Sequence, residues 1–231
     1  MNRSELLQDD TNDIPEFPRR MSREEARQIK ERKNAFKVAL KTQAKGTGWR
    51  HADGSIFKQK DEWFLCNSPS LAYKSGVILQ WKCKPMAIDP LFWEIFHLEE
   101  NRKQPLSFRD RGAWTIRPLG PNKYIARDET SPEKLAEAVI QWSNKRREEV
   151  ADLTLEVMLA NLGPLNNLSA NKAEAICLLI LLGQLDEAER LCRESDPKDS
   201  GGYTSARKNG GDRFYDYALD WIANKKASKS N

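Results

Sequence analysis

Between Gly48 and Ala126 apolar residues alternate with polar ones, and on both sides of that stretch they recur at steps of three and four. The first pattern belongs to strands and the second to helices. Their separation along the chain predicts an α+β fold: one antiparallel sheet, about residues 48–126, packed by an N-terminal helix and a C-terminal helical bundle. The clearest strand places Val77, Leu79, Trp81 and Cys83 on one face, with Ile78, Gln80, Lys82 and Lys84 on the other. That alternation predicts one buried face and one mainly wet face. Pro85 ends the run, because proline cannot continue an interior ladder.

Further strands are read at Ile56–Lys58 and Trp63–Cys66. A turn at Ala52–Ser55 contains Asp53-Gly54, a strong hairpin signal. Trp114–Arg117 and Tyr124–Ala126 read as another hairpin. Asp89 before Pro90 reads as the N-cap of a short helix carrying Leu91, Phe92, Trp93, Ile95 and Phe96.

The first long helix starts at Ser22, with Glu25 at capping-box spacing, and runs to about Gln43. Ile29, Phe36 and Leu40 share a face of it. A second long helix runs from Ser131-Pro132 to Gly163-Pro164, with a core-facing stripe from Leu135 to Ala160 interrupted by Arg146. Lys172–Leu182 and Leu185–Arg193 form a helical hairpin broken at Gly183. Its turn resembles that of a tetratricopeptide repeat, but only one copy is present. A glycine-rich loop over residues 196–211 leads to a last helix capped by Asp212. The expected organisation is an acidic arm over 1–20, an α+β core over 21–163, and a helical extension over 164–231 packed on that core.

Charge is nearly balanced over the whole chain, at +4, but not locally. Residues 1–18 carry one arginine against five carboxylates, and residues 19–45 carry ten Lys/Arg against three glutamates. The arm and the basic helix are expected to be solvated or to meet a partner. The cysteines at 66, 83, 177 and 192 form no C-x-x-C pair. They read as reduced thiols, and with no apolar leader segment the expected location is the cytoplasm. No apolar run is long enough to span a bilayer.

Chemistry leaves little trace. His51 and His97 have no nucleophile or carboxylate at a telling distance, and the dispersed Cys and His suggest no metal site. No catalytic residue, cofactor or metal is expected. The surfaces expected to meet a partner are Arg27, Lys30, Lys33, Lys37 and Lys41 on the first helix, with Arg207 and Lys208 in the glycine-rich loop. Lys58, Lys60, Lys82 and Lys84 could make the wet sheet face positive, which supports a nucleic-acid-binding alternative.

The stretch Lys84, Pro85, Ile88, Asp89, Phe92, Trp93, Ile95 follows a K-P-x-x-I-D-x-x-F/L-W-x-I pattern. It resembles an uncharacterised bacterial α+β family related to domains of toxin-immunity and defence loci. The likeness covers about a quarter of the chain and implies a non-enzymatic protein that acts by binding a protein partner, such as a toxin. It implies a structural role for Lys84, Pro85, Asp89, Phe92 and Trp93 and carries over no active site.

Overall fold

The computed structural model describes residues 22–72, 76–111, 120, 122–126, 131–163, 172–195 and 213–229. The acidic arm, the strand expected at Trp114–Arg117, the glycine-rich loop with Arg207 and Lys208, and the Asp212 cap lie outside the described residues. The fold is α+β, and the chain divides into two compact units. The first comprises Met1–Lys84 and Pro118–Ala151, the second Pro85–Arg117 and Asp152–Asn231.

In the first unit, α1 (Arg23–Ala44) opens with the expected capping box. The Glu25 N–H donates to Ser22 Oγ at 3.2 Å, and the Ser22 N–H donates to Glu25 Oε2 at 2.8 Å. Strands β1 (Arg50–Ala52) and β2 (Ser55–Lys60) form a hairpin in which Ala52 faces Ser55. Both turn residues have positive φ, Asp53 at 50° and Gly54 at 89°. That is the type I′ geometry the Asp-Gly pair favours.

Strands β3 (Trp63–Asn67), β4 (Ser70–Ala72) and β5 (Gly76–Pro85) extend the sheet in the order β1-β2-β3-β5-β4. β6 (Asn122–Ala126) pairs antiparallel with β5, Gln80 facing Asn122. The helix α4 (Pro132–Glu148), with Ser131 as N-cap, packs against α1 and is tied to the sheet. Asn67 Nδ2 donates to Ser143 Oγ at 2.8 Å, and the Trp49 indole N–H donates to Asn144 Oδ1 at 3.0 Å.

Val77, Leu79, Trp81 and Cys83 are buried, as their alternation predicts. The opposite face departs from expectation at its end: Lys84 is fully buried, its ammonium 5.7 Å from the centroid of Phe64, while Gln80 is exposed. Phe57, Phe64 and Cys66 are buried along with it. Lys84 therefore does not belong to a wet positive face. Residue type alone assigned it to water, whereas burial depends on what covers the strand end.

Gly120 sits directly on the backbone of Trp81. A Cβ there would stand 2.2 Å from the Trp81 carbonyl oxygen and 3.0 Å from its indole Cδ1. Gly120→Ala must therefore push the chain off β5, at an expected loss of about 1–3 kcal/mol. Thermal unfolding followed by near-ultraviolet circular dichroism of the tryptophans measures this. An unchanged midpoint would contradict the close approach.

The second unit is helical. It contains α2 (Ile88–Ile95), the single turn α3 (Phe108–Arg111), α5 (Leu155–Asn161), α6 (Lys172–Leu181), α7 (Leu185–Arg193) and α8 (Phe214–Lys229). Every residue of α6 from Ala173 to Ile180 is buried, so this helix is the centre of its unit and needs no polar face. Gly183, at φ 76°, ends it: the N–H groups of Gly183 and Gln184 return to the carbonyls of Ile180 and Leu179 at 3.0 and 2.9 Å.

The long helix expected from 131 to 163 is two helices. A 3₁₀ turn at Glu149–Asp152 breaks it, and Thr154 caps α5 by accepting from the Val157 N–H at 3.2 Å. A threonine hydroxyl competes for backbone donors that a continuous helix would use. Val157, expected in the core stripe, is 44% exposed as a result.

All four cysteines are free and buried. Burial pushes the thiols of Cys83 and Cys192 up to about 12 and that of Cys177 well above its ordinary value. An unfolded thiol ionises near 9.0, so from there to about 12 the folded chain holds more protons than the unfolded one. Stability is expected to fall as pH rises through that window, and native thiols to react with a disulfide reagent only as fast as the chain opens. Rapid labelling of the native protein near pH 8 would overturn this.

Candidate binding surfaces

The basic residues singled out on α1 are all exposed. Lys30, Lys33, Lys37 and Lys41 follow one another at steps of three and four, and Arg27 precedes them by three, so they share one side of the helix. Arg27 is braced by Glu24 at 2.8 Å and Glu31 at 3.9 Å. The stem of Lys37 lies over the β1–β2 turn, within 3.1 Å of the position a Cβ on Gly54 would take.

The helix changes character along its length. No residue from Arg23 to Ala35 is buried, whereas Phe36, Ala39, Leu40 and Ala44 are. Val38 is 67% exposed. Its neighbours at three and four residues, Asn34, Ala35, Lys41 and Thr42, are exposed as well.

A second cationic region lies on the first unit. Trp49, Trp81 and Trp142 meet edge to face in series, with centroids 6.2 Å apart at each step. Lys58 Nζ lies 5.3 Å over Trp49 at one end, and the Arg146 guanidinium lies 5.9 Å over Trp142 at the other. Trp49 and Trp81 are buried and Trp142 is half-buried. This row locks α4 to the sheet, and its cations are held by the aromatic faces. Sequence reasoning named Lys58 and Lys60, met Arg146 only as an interruption of the apolar stripe, and missed Arg147; both arginines come to the same unit from the end of α4. The signals for them were that interruption and the basic last turn Lys145–Arg147.

The K-P-x-x-I-D residues have structural settings. Asp89 is not the N-cap of α2. That position is Ala87, in helical geometry, and Asp89 lies within the first turn at 0% exposure. Arg109 Nη1 donates to Asp89 Oδ2 at 2.9 Å and to the Met86 carbonyl at 2.9 Å. The Arg109 guanidinium also lies 5.6 Å over Trp93. Phe92 and Trp93 are buried in the second unit, and Phe92 stacks on Phe214 at 5.5 Å.

His97 is exposed and ends α2 with φ 55°, its ring edge-on to Tyr217 at 5.8 Å. His51 is half-buried on β1. Among the described residues no group of three His, Cys, Asp or Glu side chains is placed to hold a metal ion. No helix among them is long and apolar enough to cross a membrane. Comparison with family models, with curated proteins and with solved structures finds no match to this chain.

Proposed function

We propose that the chain is a non-enzymatic binding protein that engages an acidic protein surface through the exposed side of α1. The observation that carries this reading is the division of α1. Its first half has no fully buried residue, only the half-buried Glu25, Ile29 and Arg32, yet it is capped and helical, and the helix carries Arg27, Lys30, Lys33, Lys37 and Lys41 along one side. Full burial begins only at Phe36. Val38 sets an apolar point among these cations. A protein groove would cover it together with the lysines, whereas a phosphodiester backbone offers it nothing. The likeness of residues 84–95 to domains of immunity and defence loci points the same way, towards a partner that is held and not turned over.

A photo-crosslinking residue in place of Val38, introduced in cells of the source organism, tests this. One acidic protein is expected to be captured. Combining Lys30→Glu, Lys37→Glu and Lys41→Glu is expected to weaken the purified pair by about 10–100-fold, mostly through slower association. The urea midpoint should barely move, because these side chains are exposed. Undiminished affinity in the charge-reversed variant would defeat the reading. Binding that is instead to nucleic acid, and falls steeply with salt, would replace it with the backbone-binding alternative.

A further inference from the structure

One group of cations in the first unit has no carboxylate paired with it among the described residues. Lys58 and Lys60 are two residues apart on β2 and so share a face of the sheet. Arg147 stands in the last turn of α4. All three are half-buried. Among the described residues none of the three has a carboxylate partner, whereas the adjacent Arg146 is paired with Glu149 at 2.5 Å. The Lys58 ammonium titrates below the ordinary lysine range, first because it is partly buried and then because Arg147 and Lys60 repel it.

The floor of this group is rigid. Lys58 Nζ lies over the Trp49 ring, and it approaches Gly48 so closely that a Cβ there would stand 3.1 Å away. Trp49 is fixed by its hydrogen bond to Asn144, one helical turn before Arg147. Gathering like charges and partly desolvating one of them costs free energy, of which the Trp49 face returns a part at Lys58 alone. The negative end of the α4 dipole offsets some of it and accounts for Arg147 in the last turn. It does not account for two strand lysines standing at the same place.

We propose that Lys58, Lys60 and Arg147 form a binding site for a phosphate group. The guanidinium supplies a planar fork of donors and the ammonium groups supply point charges, the combination that recognises phosphate oxygens. Three cations favour the dianion of a phosphomonoester or free phosphate over the single charge of a phosphodiester. The site uses none of the α1 cations, and neither proposal depends on the other.

The test is a titration of the full chain with sodium phosphate against sodium chloride at matched ionic strength and pH. It is followed by the NMR signals of the Trp49 indole N–H and the Lys58 side chain. Saturable shifts with phosphate alone are expected. Lys58→Met and Arg147→Gln, on different elements, should each weaken binding by about tenfold or more. Without phosphate, Arg147→Gln, which leaves the Trp49 contact intact, should unfold at the same temperature as the parent or higher, because a repulsion has been relieved. A merely structural role would lower that temperature. Equal shifts in both salts, or unchanged phosphate affinity in both variants, would overturn the site. Tighter binding of an oligonucleotide that lacks a terminal phosphate would overturn the assignment to a monoester.

Discussion

Asp89→Ala is expected to cost about 3–5 kcal/mol, the range for removing one partner from a buried ion pair. The carboxylate is wholly buried and the Arg109 side chain is 12% exposed. Removal of Asp89 leaves a guanidinium that still bonds the Met86 carbonyl and still lies over Trp93, but has lost this buried carboxylate. Urea unfolding measures the loss. Combining Asp89→Ala with Arg109→Met should recover part of it, since the second change removes the cation that faced Asp89, and the cycle gives the coupling directly. A single-variant loss below about 1 kcal/mol, the ordinary effect of a point mutation, would mean that the pair is not the anchor described.

Phe214→Ala is expected to cost a similar amount, about 3–5 kcal/mol, for a different reason. Phe214 is fully buried between Phe92 at 5.5 Å and Phe96 at 5.8 Å. Phe92 and Phe96 also meet each other at 5.1 Å, and Tyr217 stacks on Phe96 at 5.1 Å. These rings are the seam between α2 and α8. Truncating the central one opens a cavity that the stiff neighbouring rings cannot fill, whereas Phe214→Leu should cost much less. Calorimetric unfolding of both variants separates the cases. Equal losses would show that the ring geometry contributes little beyond area.

Local rules made much of this fold legible. The capping box at Ser22, the Asp53-Gly54 turn, the inward set Val77, Leu79, Trp81 and Cys83, and the stop at Gly183 all follow from spacing within a few residues. What spacing could not reveal was burial imposed from elsewhere in the chain. Lys84 and Asp89 were assigned to water and to a cap because their side chains are charged, yet both are fully buried. Asp89-Pro90 also misled on register. A proline is tolerated throughout the first turn of a helix, where backbone donors lack partners, so it marks the start only to within a turn. Thr154 split the second long helix because a hydroxyl cap competes locally with an otherwise helical periodicity. For the binding surfaces, the α1 stripe was visible as a run of lysines. The group of Lys58, Lys60 and Arg147 was not, because its members come from a strand and a helix far apart in the chain.

The chain passes from one compact unit to the other after Lys84, returns after Arg117, and passes again after Ala151. Neither unit can therefore be obtained by a single cut. A fragment ending at Ala151 would retain the sheet and both of its helices, but it would strand α2 without the segment that supplies Phe214. On the ribosome, likewise, the aromatic residues at 92 and 96 must wait for almost the entire polypeptide to emerge before α8 can shelter them. Those residues, and not the sheet, are where premature aggregation of a nascent or truncated product should begin.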